Sequence, residues 1–182
     1  QGSGRTELAQ ALFGVVPFQA GTYEIRGALS QIKAPDQAID RKMAFVTEDR
    51  KGEGILPQQS VRDNVLITVR SLEWLLRRIR PNGLRRDPEL VPDVVQKVDV
   101  RTSSNVQEVK NLSGGNQQKV VLAKWLASDA DIFIFDEPTR GIDVEAKASI
   151  HDILRELAKA GASVLMISSE LPEIIGMSDR IL

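Results

Sequence analysis

The sequence predicts an α/β fold in which a mostly parallel sheet carries a helical insert. Two short apolar runs, residues 131–135 and Ser163–Ile167, are interpreted as strands buried on both faces, which is typical of parallel sheets. The segment between them has a helical pattern, and a strand, helix and strand of this length form a βαβ unit. From about residue 58 to residue 128 the signals are helical, with interruptions near 80–83 and 102–105.

The remaining elements follow from local pattern. Residues 22–25 alternate with polar neighbours, and residues 43–47 form a second candidate strand. In the βαβ unit, Asp143 is the candidate N-cap of the helix and Gly161 is placed to end it. The apolar positions of that helix recur at the spacing i, i+3, i+4 and i+7: Ile150, Ile153, Leu154 and Leu157.

Composition excludes several functional classes. Of the 182 residues 42% are apolar, enough for one core, and the formal net charge of -1 argues against a general nucleic-acid binder. There is no cysteine, so disulfides and cysteine metal sites are excluded. No apolar run approaches the roughly 20 residues that span a bilayer, so any membrane role is expected to come through partners. Because the chain begins inside a motif and stops within an apolar segment, we expect a fragment that lacks its N- and C-terminal ends.

The first residues have the composition of a phosphate loop. Such a loop needs glycines, so that backbone N–H groups point at phosphate oxygens, and a helix N-terminus behind them. Gly2 and Gly4 supply the glycines around Ser3, Arg5 stands where lysine is expected, and Thr6 offers a hydroxyl for magnesium. Arginine is planar and forked where the usual ammonium is a point charge. A glycine-rich turn that only caps a helix fits these residues equally well.

Two further groups of residues decide between a phosphate loop and a simple helix cap. Ser113, Gly114 and Gly115 present a hydroxyl and backbone N–H groups at a predicted helix start, which is an anion site. Further along, Asp136 and Glu137 follow a buried strand and therefore stand at the carboxyl edge of the sheet, where ligands of open α/β folds bind. Asp136 is suited to hold magnesium, and Glu137 to orient or deprotonate an attacking water.

Taken together, the motifs resemble the ATP-binding-cassette (ABC) ATPases over nearly the whole chain. The signature motif of that family is matched by Leu112, Ser113, Gly114, Gly115, Asn116 and Gln117, its Walker B strand by residues 132–137, and its D-loop by Gly141, Ile142 and Asp143. The resemblance is greatest to the second cassette of tandem ATPases that power ribose-, galactose- and xylose-type importers. Three features carry this: the altered Walker A at residues 4–7, Glu48-Asp49-Arg50-Lys51 in place of the Q-loop, and residues 138–143 together with residues 167–170.

The resemblance implies a P-loop NTPase core with a helical ABC subdomain, occupying residues 1–182 as one partial nucleotide-binding domain. Glu137 and Ser169 would be catalytic. ATP would lie on Gly2, Ser3, Gly4, Arg5, Thr6, Glu48 and Asp136. Mg²⁺ would be held by Thr6, Glu48 and Asp136, and the signature residues would contact ATP across a pair of cassettes.

Two departures from the family pattern concern the chain's own site. Ser169 stands where the family usually has histidine, and a hydroxyl cannot carry a proton near neutral pH as imidazole does. The one histidine, His151, lies inside the predicted helix Val144–Lys159 and is expected to be structural. An alternative therefore stays open: a catalytically degenerate, regulatory half whose signature motif completes the site of the partner cassette.

The implied partners are a first ABC cassette, transmembrane permease subunits and, indirectly, a solute-binding protein, with no nucleic acid. The location would be peripheral, on the cytoplasmic face of the membrane. A soluble cassette of DNA repair or translation would tend to show a basic surface or coiled-coil insertions, which are not present. Residues 48 to about 64, with Ser60 as N-cap candidate, would contact the permease, or else form a surface loop. A basic run at Arg77, Arg78, Arg80, Arg85 and Arg86 is interpreted as a solvated helix face or a contact to lipid or permease.

Overall fold

The computed structural model describes residues 4–18, 20–77 and 90–182. Five strands and seven α-helices follow one another in these ranges. In chain order they are α1 (Arg5–Phe13), β1 (Tyr23–Ile25), β2 (Ala28–Ser30), α2 (Pro35–Asp40), β3 (Met43–Val46), α3 (Val61–Arg77), α4 (Leu90–Lys97), α5 (Gly114–Leu126), β4 (Ile132–Asp136), α6 (Val144–Lys159), β5 (Ser163–Ile167) and α7 (Leu171–Met177). A π-helical turn (Arg50–Gly54) and a 3₁₀ turn (Val109–Asn111) complete the set.

The centre of the fold is the parallel sheet that the sequence predicts. Its order is β3-β4-β5, and both pairings are parallel. Val46 pairs with Phe135, and Asp136 pairs with Ile167, so the carboxyl ends of the three strands meet at one edge. The prediction of an α/β fold with a parallel sheet is therefore confirmed.

The middle strand is buried on both faces, as its unbroken apolar run predicts. Phe133 and Phe135 lie on one face with their rings stacked 5.9 Å apart, and Ile134 is buried on the other. Helix α1 packs against this sheet through Phe13, whose ring centroid lies 5.5 Å from that of Phe45. This packing fixes the start of α1 relative to the end of β4.

The expectation that Ser163–Ile167 is buried on both faces is wrong. In the described sheet β5 is the edge strand, and Leu165 is 36% exposed. Val164 and Met166 pack against the core while Ser163 and Leu165 face outward, because successive side chains of a strand point to opposite faces; Ile167, at the end of the strand, also packs against the core. The apolar run predicts the strand correctly, but it does not show whether the strand has a neighbour on each side in the sheet or lies at its edge.

The strand predicted at 22–25 forms, but outside the parallel sheet. Residues Tyr23–Ile25 pair antiparallel with Ala28–Ser30 in a hairpin of two strands. Arg26 and Gly27 both have positive φ, which is the backbone of a type I′ turn and suits the twist of a two-residue hairpin. The hairpin packs on the rim of the domain, with Ile25 against the core.

Helices α3, α4 and α5 lie within the predicted insert. The predicted N-cap of α3 is confirmed, because the Asp63 amide donates to the Ser60 hydroxyl at 3.0 Å. The predicted break at 102–105 is also present as a non-helical loop, whereas the break near 80–83 and the side chains of the basic run lie outside the described residues. Within the described part of the chain, none of the helices combines the length and the apolar character needed to cross a membrane.

Candidate functional site

The first helix begins with the geometry of an anion site. Gly4 is its N-cap and has φ +74°, a left-handed conformation that glycine adopts without strain. The helix then starts at Arg5, so the first-turn amides have no partner within the helix and point toward its N-terminal end. Gly2 and Ser3, the other predicted members of the phosphate loop, lie outside the described residues.

Asp136 lies next to this helix start, at the carboxyl end of β4. It is 1% exposed, and neither of its carboxylate oxygens has a hydrogen bond of normal geometry within the described chain. Burial raises the pKa of Asp136, while the nearby Thr6 hydroxyl and the Arg5 charge act to lower it. The structure therefore brings Thr6 and Asp136 together, as the sequence predicts.

These two residues have the chemistry of a magnesium site. A buried carboxylate with two unsatisfied oxygens is costly unless a cation or donor meets it. Carboxylate and hydroxyl oxygens are the ligands that Mg²⁺ prefers, usually one or two from the protein with the rest from water and phosphate. Thr6 and Asp136 fit that requirement.

Glu137 and Ser169, the two predicted catalytic residues, are in contact. The Ser169 hydroxyl donates to Oε2 of Glu137 at 3.1 Å, and the Glu137 amide donates to the carbonyl of Ile167 at 2.9 Å. Glu137 has φ +50°, which is uncommon for a residue with a side chain and is held here by its neighbours. The Ser169 hydroxyl thus orients the glutamate carboxylate beside the sheet edge.

Two residues of the predicted nucleotide site, Glu48 and Arg5, contact protein groups that are distant in sequence. Glu48 pairs with Arg140, which lies just before the predicted D-loop. Arg5 donates from Nη1 to the backbone carbonyl of Ser168 at 3.3 Å. In the described chain, then, Glu48 is bound to an arginine, and Arg5 reaches the turn that carries Ser169.

The signature residues form the predicted helix start. Ser113 is the N-cap of α5, and its hydroxyl oxygen accepts from the amide and the side chain of Asn116 at 3.4 and 3.0 Å. Gln117 is buried instead, and its side-chain nitrogen donates to the carbonyls of Val109 and Leu112 at 3.3 and 3.2 Å. Ser113 and Asn116 thus stand at the surface, while Gln117 fixes the turn that precedes them.

The predicted D-loop lies directly beside the signature residues. Asp143 is the N-cap of α6, since its carboxylate accepts from the Ala146 amide at 2.8 Å, as predicted. Gly115 packs so closely on α6 that an added Cβ would lie 2.4 Å from the Cβ of Ala146. A groove of about 110 Å³ runs along this junction, and Ser113, Asn116 and Asp143 line it.

Lys124 connects α5 to the segment that follows Glu48. Its ammonium nitrogen donates to the carbonyl of Gly54 at 2.8 Å and lies 5.1 Å from the centre of the Trp125 ring. Burial lowers the pKa of Lys124 from 10.5 to about 8. Helix α5 is therefore joined to the turn that follows residues 48–51 by a partly buried amine of lowered pKa.

This shift predicts that stability rises with pH. Below pH 8 Lys124 is charged in both states, and its burial disfavours the native state by up to about 3 kcal/mol. Between pH 8 and 10.5 the native state loses the proton that the unfolded state keeps, so the free energy of unfolding increases. We expect the stability of wild type relative to Lys124→Met to rise over this interval in urea titrations. The control is Lys159→Met, because Lys159 is exposed. If the difference in unfolding free energy between wild type and Lys124→Met changes with pH no more than that of the control, the predicted effect of Lys124 is contradicted.

Sequence reasoning missed several residues around the site. Arg140, which precedes the predicted D-loop, pairs with Glu48. Arg50 lies with its guanidinium against Gly114, where an added Cβ would be 3.3 Å from Nη2. Buried Glu173 accepts hydrogen bonds from Thr139 and Ser168. The contacts of Arg140, Arg50 and Thr139 join distant parts of the chain, and no local pattern signals them.

An ATP-binding cassette is defined by the features described above: the parallel sheet, the start of α1, the acid pair at the end of β4 and the turn at Ser113. A comparison with family models agrees. Residues 1–140, well over half of the chain, match the family model described as ABC transporter. The chain therefore belongs to the ABC transporter family.

Among its relatives is a putative ribose/galactose/methyl galactoside import ATP-binding protein of Hahella chejuensis (strain KCTC 2396). It is 46% identical over 183 residues, which cover 99% of this chain and 35% of that protein. The ribose import ATP-binding protein RbsA of Bacillus subtilis (strain 168) is 43% identical, over 100% of this chain and 36% of that protein. The chain thus spans about a third of the length of the curated relatives it matches.

Solved structures share the fold. The ADP conformation of an ATP-binding cassette of an ABC transporter matches with a TM-score of 0.77 and 18% identity, over 97% of this chain and 70% of the other. A dimeric, post-hydrolysis state of a cassette bound to ADP and Pi matches with a TM-score of 0.74, also at 18% identity, over 93% and 72%. The predicted P-loop NTPase fold is thereby confirmed.

Proposed function

We propose that this chain is the ATP-binding and ATP-hydrolysing cassette of an ABC importer that takes up a monosaccharide. The observation that carries the proposal is the meeting of three elements at one sheet edge. The start of α1 supplies backbone amides and Thr6, the end of β4 supplies Asp136 and Glu137, and the end of β5 supplies Ser169. This arrangement matches what a nucleoside triphosphate and a water nucleophile require.

The roles of the residues follow from their positions. The amides at the start of α1, with Gly2 and Ser3 before it, bind the phosphates of ATP, and Arg5 adds a positive charge beside them. Glu137, oriented by Ser169, accepts a proton from water as the water oxygen attacks the γ-phosphorus. The bond from that phosphorus to the bridging oxygen breaks, and ADP and phosphate leave.

Thr6 and Asp136 would hold the Mg²⁺ ion of the nucleotide, with Glu48 as a further ligand once it leaves Arg140. When bound, the ion neutralises charge on the β- and γ-phosphates. Asp136 contributes by being buried beside the Thr6 hydroxyl, with no ion pair to another side chain among the described residues that would have to break before it can coordinate.

The signature residues serve a second nucleotide, held by a facing cassette. Half-buried Leu112 packs against the core and Gly114 follows the N-cap Ser113, while Ser113, Gly115 and Asn116 line a groove at the start of α5. A helix N-terminus carries partial positive charge and favours a phosphate. Gln117 supports the same turn from inside, and Gly141, Ile142 and Asp143 flank it. We propose that the partner is the first cassette of a tandem protein, of which this chain is part of the second.

The names of the relatives support import of ribose or galactose as the coupled process. The helical segment of residues 58–128 and the segment from Glu48 to Asn64 would contact transmembrane permease subunits on the cytoplasmic face of the membrane. A solute-binding protein would deliver the sugar to those subunits. The Lys124–Gly54 hydrogen bond supports this, because it gives the segment a direct link to the signature helix.

A second candidate is a degenerate half that binds ATP without turning it over. The engagement of Arg5 with the Ser168 carbonyl and of Glu48 with Arg140 favours it, since both groups are turned to protein partners. In that case the signature motif would act only on the site of the facing cassette. The two candidates differ in the effect of removing the Glu137 carboxylate.

Asp136→Asn tests the proposed site. We expect Mg²⁺-dependent affinity for ATP to fall roughly 10- to 100-fold, as metal sites do when their ligand surroundings are disturbed. The amide keeps the shape of the buried side chain but supplies only one weak oxygen ligand. Fluorescent ATP binding with and without Mg²⁺ measures the effect in the purified protein.

The matched control is Asp152→Asn, because Asp152 is exposed and, among the described residues, pairs with Arg155 one helical turn away. Equal affinities for both variants would contradict the site. Coupling to import is tested by uptake of radiolabelled ribose into cells, which we expect with wild type and not with Asp136→Asn. Uptake with both would contradict a role for this ATPase in transport.

A further inference from the structure

Glu173 on α7 is a buried carboxylate that no part of the proposed mechanism uses. Its side chain is 1% exposed. Hydroxyl groups of Thr139 and Ser168 donate to it, the first at 2.8 Å, and Nε2 of His151 lies 2.5 Å from Oε1. The carboxylate therefore joins the segment after β4, helix α6 and the turn after β5.

The ionisation of this carboxylate fixes the direction of its hydrogen bonds. Burial by itself raises the pKa of Glu173, but hydrogen bonds from Ser168, His151 and Thr139 outweigh it and leave the pKa below its ordinary value. An ionised carboxylate only accepts hydrogen bonds. Both hydroxyl groups must then donate, and Nε2 of His151 must carry a hydrogen.

The Ser168 hydroxyl therefore acts as both donor and acceptor. It donates to Glu173 and accepts from the Glu170 amide at 3.0 Å. These two bonds close the turn on either side of Ser169. Ser169 in turn donates to Glu137 at 3.1 Å, so the position of the catalytic pair depends on the turn that Glu173 holds.

We propose that Glu173 is a positioning residue, which holds the turn of Ser168 so that Ser169 orients the Glu137 carboxylate for ATP hydrolysis. Through Thr139 it also ties that turn to the start of the D-loop. The role rests on the proposed hydrolysis at this site and extends it to a buried residue whose hydrogen-bond partners are protein side chains.

Two variants test this role in the purified protein. Glu173→Gln replaces one acceptor oxygen by a donor. Ser168→Ala removes the hydroxyl that donates to Glu173, and it introduces no new polar or charged group. We expect each to lower kcat for ATP about tenfold while KM for ATP changes less than about twofold, because orientation of Glu137 matters only in the transition state. Glu156→Gln, an exposed residue paired with Lys159, is the matched control.

Combination with Ser169→Ala separates positioning from a merely structural role. If Glu173 acts through Ser169, Glu173→Gln causes no further loss of kcat in the Ser169→Ala background. Three results would each overturn the role. The first is a double variant whose loss of kcat is the product of the two single losses. The second is a Ser169→Ala variant with normal kcat, and the third is a kcat of Glu173→Gln and Ser168→Ala equal to that of the control. A wild-type protein that does not hydrolyse ATP overturns the proposed function and this role together, whereas a hydrolysing protein unaffected by both variants overturns this role alone.

Discussion

Replacing Glu137 by glutamine is expected to reduce ATP hydrolysis about 100- to 10,000-fold, the usual contribution of a positioned general base. The substitution removes the proton acceptor but keeps the shape, so the unusual backbone at φ +50° and the bond from the Ser169 hydroxyl can be retained. Affinity for ATP should stay within about twofold, because Asp136, Thr6 and the start of α1 are untouched. Phosphate release by the purified protein, alongside fluorescent ATP binding, measures both quantities.

Glu24→Gln is the control for this experiment, since Glu24 is exposed on β1, away from the parallel sheet. Normal turnover in Glu137→Gln would contradict hydrolysis at this site. It would favour the degenerate half, in which ATP is hydrolysed only on the partner cassette. Near-complete loss would exclude that alternative, so this substitution decides between the two candidate functions.

Replacing Gly115 by alanine is expected to disrupt the signature region. The added methyl group would lie 2.4 Å from the Cβ of Ala146, so α5 and α6 would have to separate. Such overpacking costs about 1–3 kcal/mol in unfolding free energy. Because Ser113 and Asp143 cap these two helices at the same junction, we also expect loss of ATP hydrolysis beyond what the lost stability explains.

Gly176→Ala is the matched control, because nothing lies within 4 Å of a Cβ added there. Urea titration should show lower stability for Gly115→Ala and no loss for Gly176→Ala. Hydrolysis measured well below the unfolding transition then reports the signature geometry alone. Equal stability and activity of the two variants would contradict both the close packing and the role of the junction.

Local chemistry made several parts of the fold predictable. Asp143 and Ser60 are predictable as helix caps because short polar side chains satisfy free amides at helix starts, and both accept the expected hydrogen bonds. The strand ending at Asp136 was identified because an unbroken apolar run indicates burial on two faces. These features depend on neighbours within a few residues.

Prediction failed where burial depended on other strands. The run Ser163–Ile167 has the same apolar character as β4, yet β5 is half exposed because it lies at the edge of the described sheet. By contrast, the strand predicted at residues 22–25 does form, and the structure adds that its partner is the next segment of a hairpin. Pairing and layer position are properties of the assembled sheet.

The sequence by itself determined the class of fold, the ABC family, the acid pair at the end of β4 and the helix starts at Arg5 and Gly114, because each motif is short and its geometry is local. Only the tertiary structure decided how they are connected. Ser169 meets Glu137 across 32 positions, Thr139 meets Glu173 across 34 and Arg140 meets Glu48 across 92. Such pairs form because parallel strands bring their carboxyl ends to one edge, whatever the length of chain between them.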